Sequence, residues 1–426
     1  MIVDSAREGR DLIVERGAAG RGLETARGVL LAALAVGMAV SISLTQVTLG
    51  ALVAWVLFAR WRGQLAALRW PLGLPIAAFV GWTLIAALAS AHPLESLVEA
   101  RGLLNILAIV AIANALPDRP AARRFATWLL VALTGAALFA LVQVAACPGP
   151  DFAPAGSTLT EKLLRKCGRA RGFYSIYMTL AGVLAMALAG ALPRLARLGP
   201  ESRWLAPAWI VTATALALTY VRGAWIGLVA GVLTAIAGLG RRGVIAAVLL
   251  VGLGVGLLAV LPDVRHRAAT IGSATDDTTR DRMAMLEVGL RLAGENPLTG
   301  IGPGRLRHVY PDEAPSTALR RATSHVHNTP LQIAVQSGVV GLAAWLWVFV
   351  AFFRRAGLVL RSLPAEAAGD RALVLGSLAA IVTFVMAGLF EYNFGDSEVL
   401  LVAAAVMALP FALAGDRVAS GPGRPA

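Results

Sequence analysis

The sequence predicts an all-α integral membrane protein with about twelve transmembrane helices. Of the 426 residues, 58% are hydrophobic and the mean hydropathy is +0.71, whereas a soluble domain is only about half apolar. Apolar segments near the ~20 residues that cross a bilayer recur from one end of the chain to the other. Together these observations favour a polytopic membrane protein over a soluble one.

Short polar connections separate the candidate spans, with one long exception before the tenth. Residues 1–27 hold five arginines and five acidic residues, and no A-x-A-type cleavage site follows the first apolar run. We therefore expect a cytoplasmic tail there, spans one to nine within 28–261, a long periplasmic loop at 262–329, spans ten to twelve within 330–415, and a second tail at 416–426. The expected spans are 28–46, 47–60, 74–91, 97–116, 124–146, 172–193, 204–220, 223–240, 243–261, 330–353, 370–391 and 398–415.

Loop charges agree with this topology. Cytoplasmic connections of membrane proteins carry an excess of Lys and Arg. When the N-terminus is placed in the cytoplasm, every connection that falls inside contains arginine, and the short outside connections at 92–96 and 392–397 contain neither Lys nor Arg. Both termini are therefore predicted to be cytoplasmic. The inside connections are 61–73, 117–123, 194–203, 241–242 and 354–369.

Three regions on the predicted outer side are basic against this rule. They are the loop at 147–171, which holds both lysines of the chain, Arg222 between spans seven and eight, and the loop at 262–329 with nine arginines. Guanidinium groups match the geometry of phosphate oxygens, so a bound anion is one explanation. Solvation of a large loop is the other, because long loops escape the topology rule.

The two cysteines, Cys147 and Cys167, fall in the same outer loop. In an oxidising periplasm such a pair can form a disulfide that closes the loop. Two free thiols at the ends of spans are the alternative.

The long loop is predicted to be partly helical. Asp281 to Leu292 reads DRMAMLEVGLRL, which places Met283, Leu286 and Leu290 near one helical face. Asn296-Pro297 would end this helix, and GIGPG at 300–304 would form a turn. We expect a small cap on the membrane domain here, not an independent domain.

Several function classes are disfavoured. The sequence contains no Walker loop, no H-E-x-x-H motif and no cysteine cluster that could bind zinc. Asp276, Asp277 and Asp281 suggest a metal site, but acidic loops beside threonines are more often solvent-facing turns. The net charge of +13 is better explained by membrane topology than by nucleic acid, because no soluble basic domain is present.

His325 and His327 are the best candidates for chemistry. They stand at the start of the tenth span in a chain with five histidines, and imidazole exchanges protons near neutral pH. Arg222, in a turn flanked by Tyr220 and Trp225, would suit phosphate. The alternatives are structural: a histidine that caps the span, Asn328 as an N-cap residue, and an interfacial anchor arginine.

Three stretches together resemble the bacterial O-antigen ligase and O-antigen polymerase superfamily. They are RGAW at 222–225, RDRMAMLEVGLRLAGENPLTGIGPG at 280–304, and HN at 327–328 followed by GVVG at 338–341. Each stretch alone is a weak signal, whereas the ordered set is more specific. The resemblance is clearest over 215–345.

This resemblance implies a GT-C-like glycosyltransferase of the bacterial inner membrane whose active site, on the long loop, faces the periplasm. It would transfer a glycan from undecaprenyl diphosphate with inversion and without metal, nucleotide or another cofactor. By position, His327 would be the general base with Asn328 supporting it, and Arg222 and Arg282 would bind the diphosphate. His325 fits a common pattern of the family and is a further candidate.

The acceptor distinguishes the members of this superfamily. A ligase transfers to lipid A-core, whereas a polymerase extends the lipid-linked glycan. The length and the basic outer face favour a ligase, and a protein O-glycosyltransferase would usually be longer. A phosphorylated acceptor, or the donor, would suit the basic residues Lys162, Lys166, Arg169 and Arg171.

A transporter or lipid flippase is the alternative from another class. It predicts polar residues at mid-membrane depth, and Glu99, Arg101 and Asn105 in the fourth span are one such cluster. A scaffold without activity is a third possibility. Substitution of His327 separates these hypotheses, because transport can survive the loss of a general base and glycosyl transfer cannot.

Overall fold

The structure, a computed structural model, describes residues 22–65, 67–149, 167–240, 259–269 and 277–414, with Thr158, Leu164, Gly243 and the glycines at 252, 254 and 256. Lys162, Lys166, Asp276, most of the predicted span 243–261 and most of both predicted tails lie outside the described residues. The described helices are α1 Gly22–Val40, α2 Ile42–Trp61, α3 Gly73–Leu88, α4 Pro93–Glu99, a 3₁₀ helix Ala100–Leu107, α5 Ala108–Ala115, α6 Arg119–Ala145, α7 Tyr177–Leu195, α8 Ser202–Ala217, α9 Arg222–Leu239, α10 Pro262–Ala269, α11 Asp277–Glu295, α12 Leu306–Glu313, α13 Thr329–Ser362, α14 Ala368–Ala387 and α15 Ser397–Leu413.

The described part of the chain is helical and contains no strand, which confirms the all-α, multi-pass prediction. Among the residues that the structure describes, eight segments are long and apolar enough to cross a membrane: α1, α2, the run from α4 to α5, α6, α7, α9, α13 and α14. Two further helices, α3 and α15, are apolar but shorter. The count of twelve spans and the GT-C-like architecture stay predictions.

The first two helices meet earlier than the sequence predicts. The structure ends α1 at Val40 and begins α2 at Ile42, whereas the prediction placed this boundary at residue 46. Ser41 is the N-cap of α2, and its Oγ accepts from the backbone N–H of Leu44 at 3.4 Å. Because apolar residues lie on both sides of this serine, hydropathy alone could not locate the break.

Small residues bring α9, α14 and α7 into close contact. A Cβ on Gly227 of α9 would lie 2.7 Å from the carbonyl oxygen of Thr383, and a Cβ on Gly376 of α14 would collide with the carbonyl oxygen of Gly190 in α7. Membrane helices use glycine in this way to let backbones approach. The packing fixes the N-terminus of α9, which begins at Arg222, beside the C-terminal end of α14.

Helix α13 is kinked at Gly338, which has a φ of 67°. The GENPLTGIGPG segment fills this kink: the N–H of Val339 donates to the carbonyl oxygen of Pro297 and the N–H of Ile301 to that of Val335, each at 2.8 Å. Trp82 of α3 donates its indole N–H to the carbonyl oxygen of Ser337 at 2.9 Å. These bonds satisfy backbone groups that the break in the helix leaves unpaired. The glycine-rich motif therefore anchors the segment to the membrane domain.

The segment 277–328, called the cap below, has a small core of its own. It buries Met285, Val288 and Leu292 of α11 against Tyr310 of α12 and Val326. The predicted face was wrong, because Met283 and Leu290 are 61% and 65% exposed. Both sets have the same i, i+3, i+7 spacing, so the packing partner, not the periodicity, decides which face is buried.

Two ion pairs join the cap to the α4 region. Arg305 contacts Glu95 and Arg307 contacts Glu99, each with an N–O distance of 2.6 Å. Glycine is required at position 304, where φ is 73° and a Cβ would collide with the Glu99 side chain. These two arginines thus have carboxylate partners, so part of the basic charge in the loop at 262–329 serves to hold the cap in place.

The structure joins Cys147 to Cys167 by a disulfide with a Cα–Cα distance of 5.5 Å. The bond connects the end of α6 to the segment that leads into α7. It holds Arg169 close to the membrane domain, where its guanidinium lies 4.5 Å from the ring centre of Tyr177.

Candidate functional site

The candidate site is a cavity of about 410 Å³ between the N-terminus of α9, the first turns of α11, the segment before α13 and the connection after α14. We call it the first cavity. Four arginines, three carboxylates and one histidine are among its lining residues: Arg169, Arg222, Arg282, Arg320, Asp277, Asp281, Glu391 and His327. The structure therefore brings together the histidine and both arginines that were predicted to act as a unit.

His327 is held in a defined orientation by Glu391. Its Nδ1 lies 2.7 Å from Glu391 Oε2, and the two side chains are 16% and 12% exposed. Because a carboxylate only accepts hydrogen bonds, Nδ1 carries the proton and donates it. The neutral ring then has its lone pair on Nε2, which is the arrangement of a general base whose tautomer is set by a carboxylate.

The backbone around His327 is strained and locked. His327 has a φ of 50°, in the left-handed region that most side chains avoid. The next residues bind the end of α14: Asn328 Nδ2 donates to the carbonyl oxygen of Leu389 at 3.0 Å, and the N–H of Thr329 donates to that of Gly388 at 2.6 Å. Such strain persists only where surrounding contacts fix it, and it is common at functional sites.

The arginines reach the cavity from separate elements. Arg222 is the first residue of α9, so the positive end of the helix dipole adds to its charge. Arg282 lies within α11 and forms an ion pair with Oε1 of Glu391. Arg320 is paired with Asp281 at 3.5 Å. Together these groups form a pocket suited to a phosphorylated ligand.

Residues 207–346 match the protein-family model described as O-antigen ligase. The chain contains an O-antigen ligase domain. The match runs from α8 to the middle of α13 and includes Arg222, Arg282 and His327, which confirms the resemblance found in the sequence. No protein with a curated description matches the chain.

Glu391, which the sequence analysis missed, lies beyond the matched O-antigen ligase segment. It contacts both His327 and Arg282, and so joins the general-base candidate to a phosphate-binding candidate. The predicted span 370–391 ended on this residue, whereas α14 ends at Ala387. An acid at the end of an apolar run was a signal, because ionisable residues at membrane boundaries are costly and often functional.

The other predicted site residues have different surroundings. Asn328 is the N-cap of α13: its Oδ1 accepts from the N–H of Leu331 at 2.9 Å, so the structural alternative describes its side chain. Arg169 lines the first cavity. Arg171 is not among the lining residues, and its guanidinium donates to the carbonyl oxygen of Tyr174 at 3.1 Å.

His325 is not among the residues that line the first cavity. Its ring centre lies 4.4 Å from that of His327, and its Nδ1 is 3.0 Å from Ser324 Oγ. Burial is the largest cause that lowers the pKa of His325, to about 4. His325 is thus a neutral ring at neutral pH, and it lines a second cavity that shares Glu391 with the first.

Proposed function

We propose that this protein is an O-antigen ligase of the bacterial inner membrane. It transfers a glycan from undecaprenyl diphosphate to lipid A-core, with the cap and both cavities on the periplasmic side and both termini in the cytoplasm. One observation carries the proposal: a histidine oriented by a carboxylate lies in a cavity that also contains the two arginines of the family motifs.

The reaction is an in-line displacement at the anomeric carbon of the donor. The acceptor hydroxyl is a poor nucleophile, so His327 Nε2 takes its proton as the oxygen attacks. A new glycosidic C–O bond forms on one face of the sugar, and the C–O bond to the diphosphate breaks on the other. The bond electrons leave with undecaprenyl diphosphate, the proton stays on His327, and the anomeric configuration is inverted.

The arginines stabilise the leaving group. Negative charge accumulates on the diphosphate as its bond to the sugar breaks, and preorganised cations at that position lower the barrier. Arg222 and Arg282 are assigned to the diphosphate, and Arg169 joins them from the disulfide-closed loop. In this mechanism guanidinium groups supply the charge that a divalent cation supplies in other transferases, so the reaction is proposed to need neither metal nor nucleotide.

The test uses purified protein in nanodiscs with lipid A-core, an undecaprenyl-diphosphate-linked glycan, EDTA and no nucleotide. The product is followed as a gel shift of the lipopolysaccharide. His327→Ala is expected to lower kcat by about 10²–10⁴-fold, the usual contribution of a general base. Arg222→Ala is expected to slow transfer as well, because it removes charge stabilisation of the leaving group.

Arg291→Ala is the matched control. Arg291 is a cap arginine paired with Glu313, and it is not among the residues that line the first cavity. It should retain parental activity. Full activity of a folded His327→Ala variant would refute the mechanism. Elongation of the lipid-linked glycan without a lipopolysaccharide shift would instead identify a polymerase.

A further inference from the structure

A second cavity of about 390 Å³ shares Glu391 with the first. Its walls come from α3, the 3₁₀ helix, the tip of the cap near Gly304, the kinked part of α13 and the connection that leads into α15. The volume lies within the range of about 300–1,000 Å³ typical of small-ligand sites. Glu391 and Met178 line both cavities, so ligands in the two would lie side by side.

The charges of the two cavities differ. Three carboxylates line the second cavity, those of Glu99, Glu391 and Asp396. Its one arginine, Arg307, is already paired with Glu99 at 2.6 Å. A phosphorylated group would meet two more carboxylates than arginines here. The first cavity has four arginines and three carboxylates, and two of those arginines are paired, Arg282 with Glu391 and Arg320 with Asp281, so its charge balance is positive by one. The second cavity is therefore unsuited to the diphosphate of the donor.

The remaining lining suits a ligand with many hydroxyl groups. Asn105, Gln336 and Tyr392 supply amide and phenol groups. Tyr392 donates to Gln336 Oε1 at 3.1 Å and Asn105 Nδ2 donates to Ser397 Oγ at 3.0 Å. The Gln336 amide N–H groups, the Asn105 carbonyl oxygen and the Tyr392 oxygen have further capacity to donate or accept hydrogen bonds. Apolar side chains such as Phe79 and Ile333 complete the wall. Carboxylates and amides accept hydrogen bonds from hydroxyl groups, and an apolar wall covers the C–H face of a sugar ring.

We propose that the second cavity binds an uncharged sugar ring of the acceptor, the ring whose hydroxyl attacks the donor. This inference rests on the proposed function and adds the chemical class of the acceptor ring: neutral, and without phosphate at the attacked sugar. It assigns acceptor recognition to the 3₁₀ helix and the segment 391–400, and it leaves the basic loop at 147–171 to the donor. Neutral His325 and the dyad of His327 and Glu391 lie at the boundary of the two ligands.

Gly102 offers a way to fill this cavity without disturbing the fold. It lies in the 3₁₀ helix and lines the cavity, and a Cβ built on it meets no atom within 4 Å. A phenylalanine at position 102 would occupy space that the sugar needs. Gly294 of α11 is the matched control, because it is exposed, has equally open surroundings and does not line either cavity.

The first measurement is binding, which does not depend on catalysis. Core oligosaccharide freed of lipid and phosphate is the probe, and saturation-transfer NMR on the full chain in nanodiscs is the readout. The probe should bind the parent and Gly294→Phe, and Gly102→Phe should weaken binding about tenfold or more. Inorganic pyrophosphate should not displace it. Equal binding to Gly102→Phe, displacement by pyrophosphate, or no binding to the parent would overturn the inference.

Transfer kinetics separate this inference from the proposed function. Gly102→Phe should raise the KM for lipid A-core about tenfold or more and leave the KM for the lipid-linked donor unchanged. If transfer proceeds with an unchanged acceptor KM, the acceptor site lies elsewhere and the ligase function stands. If the parent binds the oligosaccharide and Gly102→Phe weakens that binding, but the parent transfers no glycan, the sugar site stands and the ligase function fails.

Discussion

Replacing Glu391 with glutamine should slow glycosyl transfer without unfolding the protein. Glutamine keeps the size of the side chain and removes its charge, so His327 loses the carboxylate that accepts from Nδ1 at 2.7 Å. As His327 takes a proton from the acceptor, its ring becomes cationic, and Glu391 then stabilises that charge. Glu391 acts through His327 and Arg282 and is therefore a positioning residue.

The structure sets the size of this effect. Both partners are largely buried, at 16% and 12% exposed, so water screens their interaction only weakly. A hydrogen bond to a charged group contributes roughly 1.5–3 kcal/mol. Since about 1.4 kcal/mol corresponds to a factor of ten in rate, kcat should fall roughly 10- to 100-fold.

The assay is steady-state transfer to lipid A-core with donor and acceptor varied separately, together with thermal unfolding in the same nanodiscs. Because the imidazolium forms only as the reaction proceeds, kcat should fall more than either KM rises. Glu391→Asp keeps the charge on a shorter side chain and should recover part of the rate. Glu313→Gln, which removes a carboxylate paired with Arg291 in the cap, is the control. An unchanged kcat in Glu391→Gln, or a loss fully explained by unfolding, would refute the role.

Two further predictions concern stability. Gly338→Ala should destabilise the protein by about 1–3 kcal/mol, because φ is 67° and a Cβ would collide with the carbonyl oxygen of Leu298. Gly357→Ala in the same helix should be neutral or stabilising, since its surroundings are open. Thermal melts of both variants check this prediction, and equal melting temperatures would contradict it. The pKa of His325 is lowered to about 4 in the folded state, so between its ordinary pKa of 6.5 and pH 4 the unfolded chain binds more protons than the folded one. The free energy of unfolding should therefore decrease as the pH is lowered through that window, by at most roughly 3 kcal/mol. The melting temperature of His325→Gln should depend less on pH between about pH 7 and pH 5 than that of the parent, and equal pH dependence in both proteins would show that other groups titrate.

Local features of the sequence were sufficient for part of the fold. Long apolar runs predicted α3 and the helices from α6 to α9 within about five residues, because length and hydropathy are local properties. The single predicted span 97–116 is instead divided into the end of α4, a 3₁₀ helix and α5. The buried face of α11 was predicted wrongly, since Met283 and Met285 belong to equally apolar stripes and only the position of α12 selects between them. The kink of α13 at Gly338 depends on a segment some forty residues earlier and was likewise not predicted.

The candidate site likewise combines residues that local sequence predicted with one that depends on contacts between distant parts of the chain. The motifs named Arg222, Arg282 and His327 because family patterns are local in sequence, and the structure places all three in one cavity. Glu391 could not be found in that way, since its importance comes from contacts across 64 and 109 residues of chain. The sequence analysis paired His327 with Asn328, whereas in the structure the side chain that contacts the imidazole is that of Glu391.

The arginines of the predicted outer side can now be divided by their partners. An arginine that breaks the topology rule is equally compatible with a bound anion and with a structural ion pair, and sequence alone does not distinguish the two. Most of the described cap arginines have structural partners: Arg280 with the carbonyl oxygen of Thr317, Arg291 with Glu313, Arg305 with Glu95, Arg307 with Glu99 and Arg320 with Asp281.

Two of these pairs tie the cap to the α4 region, and the glycine-rich segment ties it to α13. The cap is thus fixed at two places before any substrate binds, so that Arg282 is presented to the cavity by a rigid element. Preorganisation of this kind is what electrostatic stabilisation of a leaving group requires, because a cation that must reorganise during the reaction contributes less to lowering the barrier.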